Sequence, residues 1–150
     1  MKDSEKGISG VHVWLVLMKA FHAIAIGTGR QLRRSGLGDS DFRVLEVLLH
    51  KGPLPVNMIG PKVFLTPGSI SIAVDRLHER GLVSRIGSEK DRRVRVVDLT
   101  AKGRRLIECV FQAHARDVEE IASVLTAAER VQLVHVLKKL GKRAAAPEDH

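Results

Sequence analysis

From Trp14 to Leu32 the apolar positions fall at Trp14, Leu17, Met18, Phe21, Ile24, Ala25 and Leu32, the three-and-four spacing of one helix face. Val13, Val16, Ala20 and Ala23 make a second face apolar as well. A helix apolar on two sides has two surfaces to bury, and one small domain seldom covers both. The pattern therefore predicts a buried helix, either packed against a second chain or running through the centre of a monomer's core.

The stretch SGLGDSDFRVLEVLLHKGP predicts a short helix through Phe42, Val44, Leu45, Leu48 and Leu49, stopped by Gly52 and Pro53. A second short segment spans about residues 56 to 64. In LTPGSISIAVDRLHERGLV, Thr66 can cap a helix, Pro67 suits its first position, and Ile70, Val74 and Leu77 form its buried stripe before Gly81 ends it. The outward residues of that helix are Pro67, Gly68, Ser69, Ser71, Ile72, Asp75 and Arg76. Most are small near its start, which allows close approach to another surface. Leu82 to Ile86 and Val94 to Leu99 are β-rich runs joined by the polar loop GSEKDRR, a β-hairpin pattern. Thr100 caps a long helix through Ile107, Val110, Phe111, His114, Val118, Ile121 and Leu125. Thr126 and Glu129 have the spacing of a capping box for a last helix through Leu133, Leu137 and Leu140, and the tail AAAPEDH reads as disordered. The fold class is mainly α with a small β-hairpin.

Length and charge narrow the function. A chain of 150 residues builds one domain with a real core. Its formal net charge of +8 calls for an acidic polymer or surface as partner, nucleic acid or anionic lipid first. The single Cys109 rules out an intramolecular disulfide framework, and MKDSEKG lacks the pattern of a signal peptide, so a cytoplasmic location is expected. His12, Lys19 and His22 interrupt VHVWLVLMKAFHAIAIG short of the ~18 apolar residues of a membrane span, so no membrane partner is expected.

The charge is concentrated. Between Arg76 and Arg105 ten Lys and Arg face four acids, a net +6 in thirty residues. Three short helices, the last with a small-residue start, followed by a hairpin tipped with Lys90, Arg92, Arg93 and Arg95, make the plan of a winged helix-turn-helix. Its helix enters the major groove of double-stranded DNA and its hairpin reaches the backbone and minor groove. Arginine suits such a tip because a narrow minor groove has enhanced negative potential and guanidinium sheds its hydration more easily than ammonium.

Over LTPGSISIAVDRLHERGLVSRIGSEKDRRVRVVDLTAKGRRL the chain resembles the MarR family of bacterial transcriptional regulators, through DRL, RGLV, the following Arg85, DRR and LTAKG at consistent spacing. The resemblance implies an obligate homodimer whose first and last helices intertwine. Residues 36–103 would be the DNA-binding lobe, 8–35 and 104–142 the dimerisation helices, within one chain of residues 1–150. Residues 65 to 78 would form the recognition helix, with Thr66, Pro67, Gly68, Ser69, Ser71, Ile72 and Arg76 at the DNA together with Arg85. Arg93 would enter the minor groove, Lys90 and Arg92 would face phosphates, and Asp91 would steady Arg93 and Arg85 through charge-assisted hydrogen bonds.

Two segments depart from the family pattern. In NMIGPKV, Gly60 and Pro61 disfavour a helix interior, Pro61 by about 3 kcal/mol, which predicts a short or late-starting helix there. Ile72 stands where a basic or amide residue is common, and its methyls suit thymine, leaving Ser69, Ser71 and Arg76 as polar readers. Family members also respond to small lipophilic or aromatic acids held between the dimerisation helices and the DNA-binding lobe. Here that crevice would draw on Trp14, Met18, Phe21, His22 and Phe42, with Arg43 or His22 as anion partner, against the alternative that these are core residues. Cys109 reads as a buried, inert thiol with a redox sensor as the alternative, and the histidines as core or interface residues rather than metal ligands. With no nucleophile and base at workable spacing, no enzyme activity and no cofactor are expected. The reading is a homodimeric repressor on a pseudo-palindromic operator, nucleoid-associated when bound and modulated by a small molecule. A nonspecific architectural DNA binder is the alternative.

Overall fold

Nine elements follow one another in the computed structural model, which describes residues 7–87, 90, 91 and 93–146: α1 (Gly10–Arg34), α2 (Asp39–Lys51), β1 (Leu54–Pro55), α3 (Val56–Val63), α4 (Pro67–Glu79), β2 (Val83–Gly87), β3 (Arg95–Leu99), α5 (Ala101–Ala122) and α6 (Ala127–Ala145). The chain divides within α5 into two compact units, one ending at Asp117 and one starting at Val118.

In the first unit α2, α3 and α4 pack on a three-stranded antiparallel sheet of order β1-β3-β2. The hairpin register runs from Val83 opposite Leu99 to Gly87 opposite Arg95. A third strand was absent from the sequence pattern. It is two residues long, pairing Leu54 with Val97 and Pro55 with Val96, and it lies at the sheet edge, where a proline's missing N–H costs no ladder bond. Leu45, Leu48, Ile59, Leu77, Leu82, Val97 and Ile107 are fully buried in one core. This core joins the expected stripe of α4 to the sheet and the start of α5.

The LTAKG segment has a structural reason. Thr100 Oγ1 donates to the Gly81 carbonyl (2.7 Å) and accepts from the Gly103 amide (3.0 Å), while Lys102 Nζ donates to the Arg80 carbonyl (3.0 Å). A Cβ at Gly103 would sit 1.9 Å from the Leu82 carbonyl oxygen, so only glycine lets α5 lie against the α4–β2 junction.

α3 is short, as Gly60 and Pro61 predict, yet it starts early, at Val56, with Pro61 inside it. Pro61 leaves the Asn57 carbonyl without its helical partner, but Asn57 is exposed and water can serve it. Gly60 is buried where a Cβ would lie 3.0 Å from the Leu65 carbonyl oxygen and within 4.0 Å of Ile70. Close packing of α3 under α4 thus requires the glycine that weakens the helix.

Of α1 only Thr28 and Leu32 are buried among the described residues, and Trp14 and Phe21 are 58% and 59% exposed, which corrects the alternative of a helix through a monomer's core and leaves packing against a second chain as the other expectation. Both apolar faces therefore lack cover among the described residues of the first unit. By length and composition alone α1 is also long and apolar enough to cross a membrane, despite His12, Lys19 and His22. Cys109 corrects another expectation, because it is exposed rather than buried. Gly103, Ile107, Val110 and Ala113 are the buried positions of α5, and Cys109 stands off that stripe.

In the second unit the end of α5 stops at Ala122, short of the expected Leu125, because the Ser123 hydroxyl and amide both bond the Glu120 carbonyl. Thr126 and Glu129 form the predicted capping box of α6. Arg130 pairs with Glu119 (2.6 Å) and donates to the Ala122 carbonyl (2.9 Å), holding the turn. No α6 residue is buried, and Val131, Val134 and Val136 are among those exposed.

Candidate nucleic-acid interface

α4 begins as its sequence dictates. Thr66 Oγ1 accepts from the Ser69 amide (3.2 Å) and donates to Ser69 Oγ (2.9 Å), and Pro67 occupies the first turn. Ser71 Oγ donates to the Pro67 carbonyl (3.0 Å), which leaves its oxygen free to accept. Thr66, Pro67, Gly68, Ser69, Ser71 and Ile72 are all exposed, Ile72 at 62%. The buried stripe of Ile70, Ala73, Val74 and Leu77 turns these residues outward. The positive end of the helix dipole is at the same end, where it favours an anion such as a phosphate.

Two ion pairs flank this face. Arg76 forks onto Asp41 of α2, with Nε at 2.9 Å from Oδ2 and 3.1 Å from Oδ1, and Nη2 at 2.5 Å from Oδ1. The bonds to Asp41 raise the Arg76 pKa above its ordinary value, against a smaller opposing effect of burial. Asp41 is 2% exposed, and Arg80 approaches it to 3.9 Å. Arg76, expected among the polar readers, thus has its guanidinium engaged inside the lobe. On the other side Asp75 pairs with Arg85 of β2. Adjacent residues of one helix are tied to α2 and to the wing strand.

At the wing tip Asp91 Oδ1 accepts from the backbone amide of Arg93 (2.9 Å), and the Asp91 carbonyl accepts from the Val94 amide (3.0 Å). Asp91 therefore shapes the turn that presents Arg93 through the backbone, a role of aspartate in tight turns. Lys90, Asp91, Arg93 and Arg95 are exposed, and Arg92 lies outside the described residues. A cleft of about 670 Å³ runs between the wing and the two helices before it, with Arg93 and Arg95 on one side and Asn57, Pro61, Leu65, Pro67 and Ser71 on the other. The α4 start and the wing cations border one opening.

The residues read as an effector crevice are spread out. Trp14, Met18, Phe21 and His22 are exposed on α1, whereas Phe42 is buried in the core with its ring 4.9 Å from that of His114. Arg43 donates to the Val63 carbonyl (3.3 Å) and pairs with Asp39 (2.8 Å), both within the lobe. His114 was absent from the crevice residues. Its Nδ1 is buried without a hydrogen-bond partner among the described residues, a burial that costs free energy. Its place on an apolar helix face was the only sequence signal.

With the geometry in view, comparison with known proteins defines the class. Residues 35–94 match the family model described as "MarR family". The chain is 36% identical over 132 residues to the HTH-type transcriptional regulator MhqR of Bacillus subtilis (strain 168), covering 88% of this chain and 91% of the relative. It is 28% identical over 148 residues to the HTH-type transcriptional repressor MdtR of the same organism, covering 99% and 94%. Among solved structures, Bordetella bronchiseptica BpsR, described for regulation of its DNA binding by 6-hydroxynicotinic acid, superposes with a TM-score of 0.79 at 24% identity over 90% of this chain and 94% of that one. The chain belongs to the MarR family of helix-turn-helix transcriptional regulators.

Proposed function

We propose that this protein is a sequence-specific, homodimeric repressor acting in the cytoplasm on pseudo-palindromic double-stranded DNA, with no enzymatic activity and no cofactor. The observation that carries this reading is the shared opening of α4 and the wing: an exposed helix start with Ser69, Ser71 and Ile72 beside exposed Arg93 and Arg95. Ser69 and Ser71 read polar base edges, Ile72 lies against thymine methyls, and Arg93 enters the minor groove. Lys90, Arg92 and Arg85 supply backbone attraction and position, with Asp91 holding the turn behind Arg93.

The two exposed apolar faces of α1 and the exposed apolar residues of α6 support a homodimer. In this reading residues 8–35 and 104–142 dimerise, residues 36–103 bind DNA, and no membrane partner is needed to cover α1. The repressor assignment is supported by the likeness to MdtR, a repressor by name. Small-molecule modulation is supported by BpsR, whose DNA binding is regulated by 6-hydroxynicotinic acid. A small lipophilic or aromatic acid would use Trp14, Met18, Phe21 and His22 with Phe42 and Arg43, although Arg43 must then leave or share Asp39. Cys109 is exposed on α5 of the single chain, and oxidation of its thiol is the alternative mode of control to an inert residue within the dimerising segment.

Selection of duplexes from a random-sequence library tests the reading. A two-fold-symmetric consensus is expected, with half-sites about one helical turn, ~34 Å, apart. Recovery of no consensus would leave an architectural DNA binder.

A further inference from the structure

The turn between α3 and α4 holds a residue that the fold does not explain. Phe64 ends α3 in the left-handed region, φ 57° and ψ 41°, and among the described residues it is the one non-glycine with positive φ. An L side chain is sterically penalised there and glycine is not. Phe64 is 90% exposed, so its ring gains little packing from the described residues in return. The left-handed turn itself closes α3, where the Phe64 and Leu65 amides bond the Gly60 carbonyl, but that turn calls for glycine, and a bare aromatic ring in its place points to a contact outside the chain.

The charge of the surroundings favours DNA as that contact, although Phe64 itself lies beside the cleft rather than among its lining residues. Thr66, which caps α4, is two residues on, and Leu65, Pro67 and Ser71 line the cleft whose other side is Arg93 and Arg95. A second copy of this chain would bring its own excess of positive charge to the same cations, whereas an acidic polymer is attracted by them. The apolar groups that DNA offers to a phenyl ring in the major groove are thymine 5-methyls. We propose that Phe64 is a specificity-determining residue, its ring packed on a thymine methyl beside the groove that receives the α4 start.

The proposal rests on the reading of the chain as a sequence-specific DNA binder, so its test separates the two. The probes are a duplex selected by the wild-type protein, the same duplex with deoxyuridine for every thymine, and a random duplex of equal length. Burial of one methyl changes affinity about fourfold, hence about 15-fold for a two-fold-symmetric site. Wild type should lose about 15-fold on the deoxyuridine duplex beyond any loss shown by Phe64→Gly. Phe64→Gly should bind the thymine duplex correspondingly more weakly than wild type, while melting no lower, because glycine adopts this φ freely. Ile72→Ala, compared on the same pair, isolates the share owed to Ile72. Equal sensitivity of wild type and Phe64→Gly to thymine replacement would overturn the proposal, as would undiminished binding by Phe64→Gly. A monomeric Phe64→Gly where wild type is dimeric would also overturn it, assigning the ring to a contact between copies. Wild type that prefers no selected duplex over random DNA would instead refute the underlying reading.

Discussion

Replacing Arg76 by alanine strips a buried carboxylate of its main partner. The Asp41 side chain is 3% exposed and that of Arg76 is 44% exposed, so the two sides of this pair are unequal. Removing one partner of a buried ion pair costs about 3–5 kcal/mol, because the survivor is left charged and dry. Here Arg80, at 3.9 Å, can close on Asp41, and the start of α2 places it near the positive end of a helix dipole worth about 0.3–1 kcal/mol. The expected loss for Arg76→Ala is therefore about 2–4 kcal/mol. Asp41→Asn leaves Arg76 free to hydrate through its exposed half and should cost less, about 1.5–3 kcal/mol, the range of a charge-assisted hydrogen bond. Equilibrium urea unfolding followed by circular dichroism, at one fixed protein concentration to hold any association constant, measures both. A double-mutant cycle should give a coupling above about 1 kcal/mol. An Arg76→Ala variant within about 0.5 kcal/mol of wild type would refute the reasoning and return Arg76 to the DNA surface as a free reader.

Gly103→Ala should lose about 1–3 kcal/mol or more in the same assay, despite alanine's better helix propensity, because its Cβ would meet the Leu82 backbone at 1.9 Å. Hydrogen bonds from Thr126 hold the Glu129 carboxyl below its ordinary value, so its contribution to stability is present at neutral pH and disappears as pH falls through its lowered folded-state pKa. The stability gap between wild type and Glu129→Ala should therefore close on acidification, and a gap unchanged down to pH ~3, below the ordinary value of ~4.3, would disprove the capping role. Lys90→Ala should weaken binding to all DNA alike and lower the salt slope by about one, whereas Arg93→Ala should cost more on a selected duplex than on random DNA; equal losses on both would place Arg93 on phosphates alone. If Cys109 governs DNA release, peroxide should weaken DNA binding by wild type and spare Cys109→Ala.

The elements that were legible in the sequence are those written in short-range patterns. Thr66 with Pro67, the Ile70, Val74 and Leu77 stripe, the two β-rich runs and the Thr126–Glu129 box each involve residues within one or two helical turns or one hairpin. The Asp41–Arg76 pair joins residues thirty-five positions apart, and nothing in periodicity links them. Arg76 consequently read as a free cation. Phe64 looked like an ordinary apolar residue because its left-handed φ follows from how α3 meets α4. β1 was hidden by its length and by Pro55, since a strand of two residues has no alternation to detect. The two apolar faces of α1 were visible, but periodicity cannot say what covers a face, and among the described residues Trp14 and Phe21 are exposed.

The central claim is that α4 and the wing together read sequence. Its most direct test is a competition titration at one stated salt concentration, with the duplex selected by the wild-type protein against random duplex of the same length. The selected duplex should bind tighter by ~10³ or more. Equal affinity for the two duplexes would contradict it, leaving a cationic surface that binds DNA by charge alone.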